Sequence, residues 1–169
     1  MALTCLFPAP ISKGVWHVLS TALGYEPKID SERNTPENLQ DLYQRSLAAL
    51  LMDGNVPVGF IAAWPVAEGF VEIGSVWIHP DYRHQGLSHQ IYDAILLLKG
   101  VGQQIAFGVT TNPISVHVGH RVGLEVMENW DTPVPRNLTC GPCELVRSEN
   151  QPTCEKRNKT CWLRIRKNT

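Results

Sequence analysis

The sequence predicts an α/β fold: a mixed sheet covered by helices, in one domain spanning residues 1–169. Three observations point there. Phe70 to Gly100 reads as strand, glycine-containing turn and helix, and Asp53-Gly54-Asn55 separates two apolar runs as a hairpin turn does. The segments also follow one another in the order βββαβαβ, which suits a sheet with helical cover. With 169 residues, 43% of them hydrophobic, the chain can bury one good core, and no internal repeat or low-complexity segment divides it.

The elements follow in order. Ile11, Val15, Val18, Leu19 and Ala22 recur at helical spacing, with Ser12 placed to cap and Gly24 to stop the helix. Tyr25 to Asn34 is polar and reads as a surface loop. Thr35-Pro36 starts a second helix, with Leu39, Leu42 and Tyr43 on one face. Ser46 to Met52 and Val56 to Trp64 form the hairpin. Val71 to Ile78 is a buried strand rich in Val, Ile and Trp, ended by His79-Pro80 because proline cannot donate to a ladder. Leu87, Ile91, Ile95 and Leu98 then mark a helix that Gly100 should stop. Gln104 to Thr110 is a strand, Asn112-Pro113 enters a helix ending at Gly123, and Leu124 to Trp130 is a strand candidate. Cys161 to Arg166 alternates apolar and polar residues and should return to the sheet as a half-buried strand.

Composition narrows the classes. No apolar run approaches the length needed to span a bilayer, and the start MALTCLFPAPISKG is too short and proline-broken for a secretory signal, so a cytoplasmic protein is expected. The net charge of −1 hides an asymmetry: 7 Lys+Arg stand against 13 Asp+Glu through Pro135, and 8 against 3 from Arg136 onward, giving −6 and +5. A basic tail can attract nucleic acid or an acidic partner, or can be the solvated face of a loop. A homodimer is compatible with the sequence.

A turn between a strand and a helix aims unpaired backbone N–H groups and the positive end of a helix dipole at an anion. Here the turn reads Arg83-His84-Gln85-Gly86-Leu87-Ser88, with neither GxxxxGK[ST] nor GxGxxG present. This R-x-x-G-x-S, preceded by VWIHPDY and followed by an amphipathic helix, resembles the GNAT superfamily of acyl-CoA-dependent N-acyltransferases. The pyrophosphate loop of that family reads Q/R-x-x-G-x-G/A, and Ser88 stands where Gly or Ala is usual. A second resemblance lies in Asn112 to Leu124, where Asn112, Ser115, Val118, Arg121, Gly123 and Leu124 fit the frame N-x-x-A/S-x-x-L-Y-x-K-x-G-F and Gly119 falls on the family's tyrosine. The likeness covers Ser46 to Trp130 well and the amino-terminal helices loosely.

The resemblance implies a mainly antiparallel mixed sheet and direct transfer of an acyl group, acetyl above all, from acetyl-CoA or a related acyl-CoA to an amine, with no covalent enzyme intermediate. It implies a coenzyme site at Arg83, His84, Gln85, Gly86, Leu87 and Ser88, with Asn112 beside it. Open strand backbone at Val76, Trp77 and Ile78 would pair with the pantetheine amides and polarise the thioester carbonyl. Glu72 lies six residues before Ile78, where the histone-acetyltransferase branch carries its base. A carboxylate in an apolar strand suits deprotonation of an amine through a water, and an exposed strand-start glutamate is the alternative. The family's tyrosine often protonates the departing thiolate; with Gly119 in its place, His120 or His117 are the substitutes, or else ordinary surface histidines. The early helix-loop-helix would line the acceptor side. The acceptor itself, whether small molecule, protein or nucleobase, is not encoded in any motif. The rival reading is a noncatalytic module that binds nucleic acid or protein through its basic tail.

Cys140-Gly-Pro-Cys143, Cys154 and Cys161 lie in an insertion at about 132–161. In a cytoplasmic chain, four clustered cysteines suggest metal ligands, and four thiolates suit a structural zinc. The second pair is spaced by six residues, looser than a ribbon. An iron–sulfur cluster, a redox pair and unliganded thiols are the alternatives.

Overall fold

The computed structural model describes residues 4–6, 10–26, 29, 32–128, 132–143 and 159–166. A short strand β1 (Thr4–Leu6), which the sequence did not signal, precedes helices α1 (Lys13–Gly24) and α2 (Pro36–Gln44). The helix α2 forms as its residues dictate. Thr35 Oγ1 accepts from the Asn38 N–H at 3.3 Å, Pro36 occupies the first turn, and Leu39, Leu42 and Tyr43 are buried. In α1 the buried face is Val15, Trp16, Leu19 and Leu23, whereas Val18, expected on the apolar stripe, is 57% exposed. Burying the Trp16 ring against Tyr43, with centroids 5.2 Å apart, removes more apolar surface than burying a valine would.

The hairpin comprises β2 (Ala48–Asp53) and β3 (Val56–Ala67), closing at Asp53 opposite Val56 with Gly54 at φ +57°. Residues Pro57 to Trp64 of β3 are buried at every position, so both of its faces are covered. Next come β4 (Phe70–Ile78), helix α3 (Leu87–Leu97) and a single turn α4 (Lys99–Gly102). Gly100 therefore does not stop α3 but sits inside α4. A Cβ there would lie 2.9 Å from the Ser46 carbonyl oxygen, so this glycine serves a close approach of two backbones. The strand β5 (Ile105–Thr110), helix α5 (Pro113–Arg121) and strand β6 (Leu124–Val126) follow, then the turn α6 (Arg136–Thr139) and β7 (Trp162–Arg166).

Among the described residues seven strands form one sheet in the order β1-β2-β3-β4-β5-β7-β6, with β4–β5 parallel and every other pair antiparallel. This is the mixed, mainly antiparallel sheet expected. The last strand returns to it, inserted between β5 and β6. Helices α1, α2 and α3 pack on a core that runs through β2, β3 and β4, while Val134 and Leu138 of the β6–β7 connection close a smaller cluster over Phe107, Leu163 and Ile165.

Two features of β4 open the sheet. Its pairing with β5 is confined to Phe70–Ile105, Val71–Ala106 and Glu72–Phe107. On its other side the register with β3 slips, from Phe60–Trp77 to Ala62–Gly74, so that Ile61 faces two residues, with Ser75 at φ +51°. An extra residue bends a strand and increases its twist. Beyond Glu72, β4 and β5 therefore part, leaving strand edges that face a cleft.

Candidate functional site

The wall of the cleft at the start of α3 is built from the predicted anion loop. After β4, Pro80–Tyr82 makes one turn of 3-10 helix, capped by His79 Nδ1 accepting from the Asp81 N–H at 3.3 Å. His84 at φ +64° and Gly86 at φ +76° then reverse the chain into α3, with Gly86 as its N-cap. Among the described residues, the amides of His84, Gln85, Gly86, Leu87 and Ser88 donate to no protein acceptor. A cavity of about 370 Å³ opens beside them, lined among others by Val76, Ile78, Arg83, Gly86 and Ser88. Nothing lies within 4 Å of where a Gly86 Cβ would project. The loop is thus an open cradle of N–H groups at a helix N-terminus, and a diphosphate fits it chemically.

Arg83 is held at this cavity by two contacts. Its Nε donates to the Ile78 carbonyl at 3.0 Å, and its Nη2 pairs with the Glu26 carboxylate, which reaches over from the end of α1. Gln85 ties the loop down through the Asp81 carbonyl at 3.2 Å. Tyr82 donates to Asp53 Oδ2 at 2.7 Å, and that hydrogen bond, followed by desolvation and the nearby Asp53 and Asp81 charges, holds its phenol above the usual range.

Where β4 and β5 part, a second cavity of about 390 Å³ is lined by Gly74, Ser75 and Val76 on one side and by Val109, Thr111 and Asn112 on the other. Asn112 borders both cavities. Its side chain is engaged, Oδ1 accepting from the Ile114 N–H at 3.0 Å, so it acts as the N-cap of α5. Trp77 is buried in the core, so from this part of β4 it is backbone that is offered to the cleft.

Glu72 lies just before the strands separate, with 24% of its side chain exposed. It accepts from Arg33 Nη1 at 2.8 Å, and the Arg33 guanidinium stacks 4.6 Å from the Trp64 ring centroid. Trp64 in turn donates from Nε1 to Ser75 Oγ at 3.1 Å. The candidate base is therefore one end of a chain, Glu72–Arg33–Trp64–Ser75, that leads to the bulge at the cleft. Arg33, Trp64 and Ser75 carried no sequence signal, because they meet only through folding.

The structure does not bring His120 to the cleft. It is exposed near the end of α5 and lines neither cavity, as is true of His117. Gly119, on the tyrosine frame, is buried, and a Cβ on it would lie 2.6 Å from Arg164 Nη1. Of the four candidate zinc ligands, Cys154 falls outside the described residues. Cys140 is buried, Cys143 and Cys161 are half-buried beside the larger cavity, and all three are free of disulfides. Among the described residues no group of three His, Cys, Asp or Glu side chains gathers closely enough to hold a metal ion, so these three cysteines do not form a metal site by themselves. Of the basic residues from Arg136 onward, Arg164 is 2% exposed and Arg166 donates to the Leu96 carbonyl at 2.9 Å. Among the described residues no helix is long and apolar enough to cross a membrane.

The sequence pattern of the acetyltransferase (GNAT) family matches residues 15–123, well over half of the chain. No curated protein sequence matches it significantly. Among solved structures, the chain is similar to Rv2747 from Mycobacterium tuberculosis in complex with coenzyme A, at TM-score 0.64 and 13% identity, covering 98% of this chain and 99% of that one. It is also similar to a GNAT-family acetyltransferase from Staphylococcus aureus, at TM-score 0.60 and 14% identity over 98% of both chains. Diaminobutyrate acetyltransferase from Paenibacillus lautus, bound to its substrate and coenzyme A, matches at TM-score 0.60 and 12% identity, covering 79% of this chain and 88% of its own. At such identities these likenesses establish the fold.

Proposed function

Because the chain belongs to the acetyltransferase (GNAT) family, we propose that it transfers an acyl group, acetyl in the first instance, from acyl-CoA directly to an amine acceptor. The observation that carries this reading is the pairing of an open amide cradle at residues 84–88 with strand edges that separate beyond Glu72. Arg83 and the amides of His84 to Ser88 would take the diphosphate. The backbone of Val76 to Ile78, where the Ile78 carbonyl already accepts from Arg83, would hold the pantetheine arm as an added strand and donate to the thioester carbonyl as negative charge develops on its oxygen. Glu72 would remove the proton that a protonated amine must lose before attack, through a water, with Arg33 as its resting partner. The side of the cleft bounded by Ile29 and Arg33 would receive the acceptor. Placement on the exposed face of α5 gives His120 no part in this scheme.

A thermal-shift series with acetyl-CoA, longer acyl-CoAs and free CoA tests the reading, since a ligand that binds only the native state raises its apparent stability by mass action. Stabilisation by acyl-CoA and free CoA is expected, and no shift with any of them at millimolar concentration refutes it. Zinc on Cys140, Cys143, Cys154 and Cys161 rests on the clustering of four cysteines, two of them as Cys-x-x-Cys, in the sequence. It predicts about one zinc per purified chain by metal analysis, and a metal-free folded protein rules it out. A nucleic-acid partner rests only on the charge of the tail, and salt-sensitive binding is its test.

A further inference from the structure

Arg164 of β7 is 2% exposed, and among the described residues no carboxylate pairs with it. Its Nη1 donates to the Ser115 carbonyl at 2.6 Å and to Tyr92 Oη at 3.4 Å, while Nε has no partner. A guanidinium buried without a counter-ion is costly to keep, yet the fold makes room for it twice. A Cβ on Gly119 would lie 2.6 Å from its Nη1, and one on Gly108 would lie 3.1 Å from its Nη2. Two elements, α5 and β5, thus give up side chains where the guanidinium sits. One of these positions is Gly119, which corresponds to the tyrosine of the related pattern.

The hydrogen bonds have a direction. A guanidinium only donates, so the Tyr92 oxygen accepts from Arg164. Tyr92 Oη lies 2.9 Å from Ser115 Oγ, a pair in which either hydroxyl can donate, and among the described residues Ser115 Oγ is the one acceptor within reach of the Tyr92 hydrogen. With Tyr92 as donor, the hydrogen of Ser115 Oγ is free for the cavity, which Ser115, Tyr92 and Arg164 line together with Gly74, Ser75 and Val76. The place where the strands part therefore presents one hydroxyl donor, backed by a buried positive charge. An anion is the chemical complement of that arrangement.

Resting on the acyl-CoA reading above, we propose that Arg164, acting through Tyr92 and Ser115, stabilises the sulfur anion released when the thioester breaks. As the amine nitrogen forms its bond to the acyl carbon, the carbon–sulfur bond breaks and its electron pair stays on sulfur. The amine proton leaves through the base, and the thiolate takes a proton from solvent afterwards, so no other reactant is needed. Ser115 Oγ is the group that touches the sulfur. Tyr92 and Arg164 are positioning residues that polarise it.

The test needs no acceptor. Free CoA is bound to the protein and its thiol is titrated by ultraviolet thiolate absorption, in the wild type and in Ser115→Ala, Tyr92→Phe and Arg164→Met, with desulfo-CoA as the binding control. The bound thiol should titrate about one pH unit or more below that of free CoA, a tenfold gain in thiolate at a given pH. Ser115→Ala and Arg164→Met should return it toward the free value, with Tyr92→Phe between, and affinity for desulfo-CoA should stay within about twofold throughout. A wild-type bound thiol that titrates like free CoA overturns the proposal, as does a shift that survives Arg164→Met. Should Arg164→Met not fold, the wild-type titration and Ser115→Ala decide it. Wild-type protein that binds neither CoA nor desulfo-CoA sinks the coenzyme reading and this proposal with it, whereas binding with an unshifted thiol sinks this proposal alone.

Discussion

Replacing Glu26 by glutamine should tighten coenzyme A binding, because its carboxylate holds Arg83 at the cavity meant for a diphosphate. The magnitude follows from two contributions. Both side chains are well exposed, 44% for Arg83 and 31% for Glu26, so the ion pair that the ligand must displace contributes only about 0.2–1 kcal/mol. A diphosphate beside Arg83 would also bring negative charge near the Glu26 carboxylate, at a separation on the order of 6 Å for the Coulomb estimate. In a water-like dielectric each unit of like charge at that range costs about 0.7 kcal/mol, which physiological salt roughly halves. Together these amount to about 1–1.5 kcal/mol, a five- to tenfold drop in dissociation constant. Calorimetric titration of wild type and Glu26→Gln with CoA at low and high salt measures it. The gain should shrink as salt rises, and pantetheine, which lacks the diphosphate, should bind both proteins alike. Equal or weaker CoA binding by the variant would refute the assignment of this cavity to the diphosphate.

Gly86→Glu should abolish the thermal stabilisation by CoA, since φ +76° disfavours any side chain there and the new carboxylate would enter the cradle; unchanged binding by calorimetry contradicts it. Glu72→Gln should lower turnover at least tenfold while CoA affinity stays within about twofold, once an acceptor is in hand; equal turnover at neutral pH removes Glu72 from the mechanism. Tyr82→Phe addresses pH. The folded-state phenol is raised above its ordinary value near 10, chiefly by its hydrogen bond to Asp53, so the native state holds this proton more tightly than the unfolded chain does. The stabilisation is present below pH 10 and is lost as pH climbs through the raised value. Denaturant titrations should therefore show wild type ahead of Tyr82→Phe at pH 7 to 9 and the gap narrowing above pH 10, and a gap that widens there sinks the reasoning.

What could be read beforehand was local in sequence. The loop at 83–88 was legible because a strand end, a glycine with positive φ and a helix start follow closely in sequence, each leaving its own mark. The N-caps at Thr35 and Asn112 were legible for the same reason. Arg164 was not. An alternating strand reads as having one wet face, but β7 lies between β5 and β6, and its polar face is closed by α3 and α5, where Tyr92 and Ser115 meet the guanidinium. Gly100 misled for the opposite reason: a glycine required by a neighbouring backbone looks, in sequence, like a helix stop. The cysteine spacing suggested one metal centre, but thiols can meet at one ion only if the loops between them fold to permit it, and Cys140, Cys143 and Cys161 do not converge by themselves.

The least legible contacts join the two ends of the proposed reaction. Glu26 reaches Arg83 across 57 positions and Arg33 reaches Glu72 across 39, both from the stretch that connects α1 to α2. One ties that stretch to the anion cradle and the other to the candidate base. Each pair is partly exposed, so each is weak enough for a ligand to exchange. A diphosphate that takes Arg83 from Glu26 removes one tie on the connection. The Arg33–Glu72 pair keeps its own Coulomb attraction, the Trp64 stack and the hydrogen bond from the Asn38 side-chain amide to the Arg33 carbonyl. An amine arriving at Glu72 competes with a guanidinium for one carboxylate, and that competition becomes easier once the coenzyme is in place. Coenzyme before acceptor is the binding order this arrangement favours.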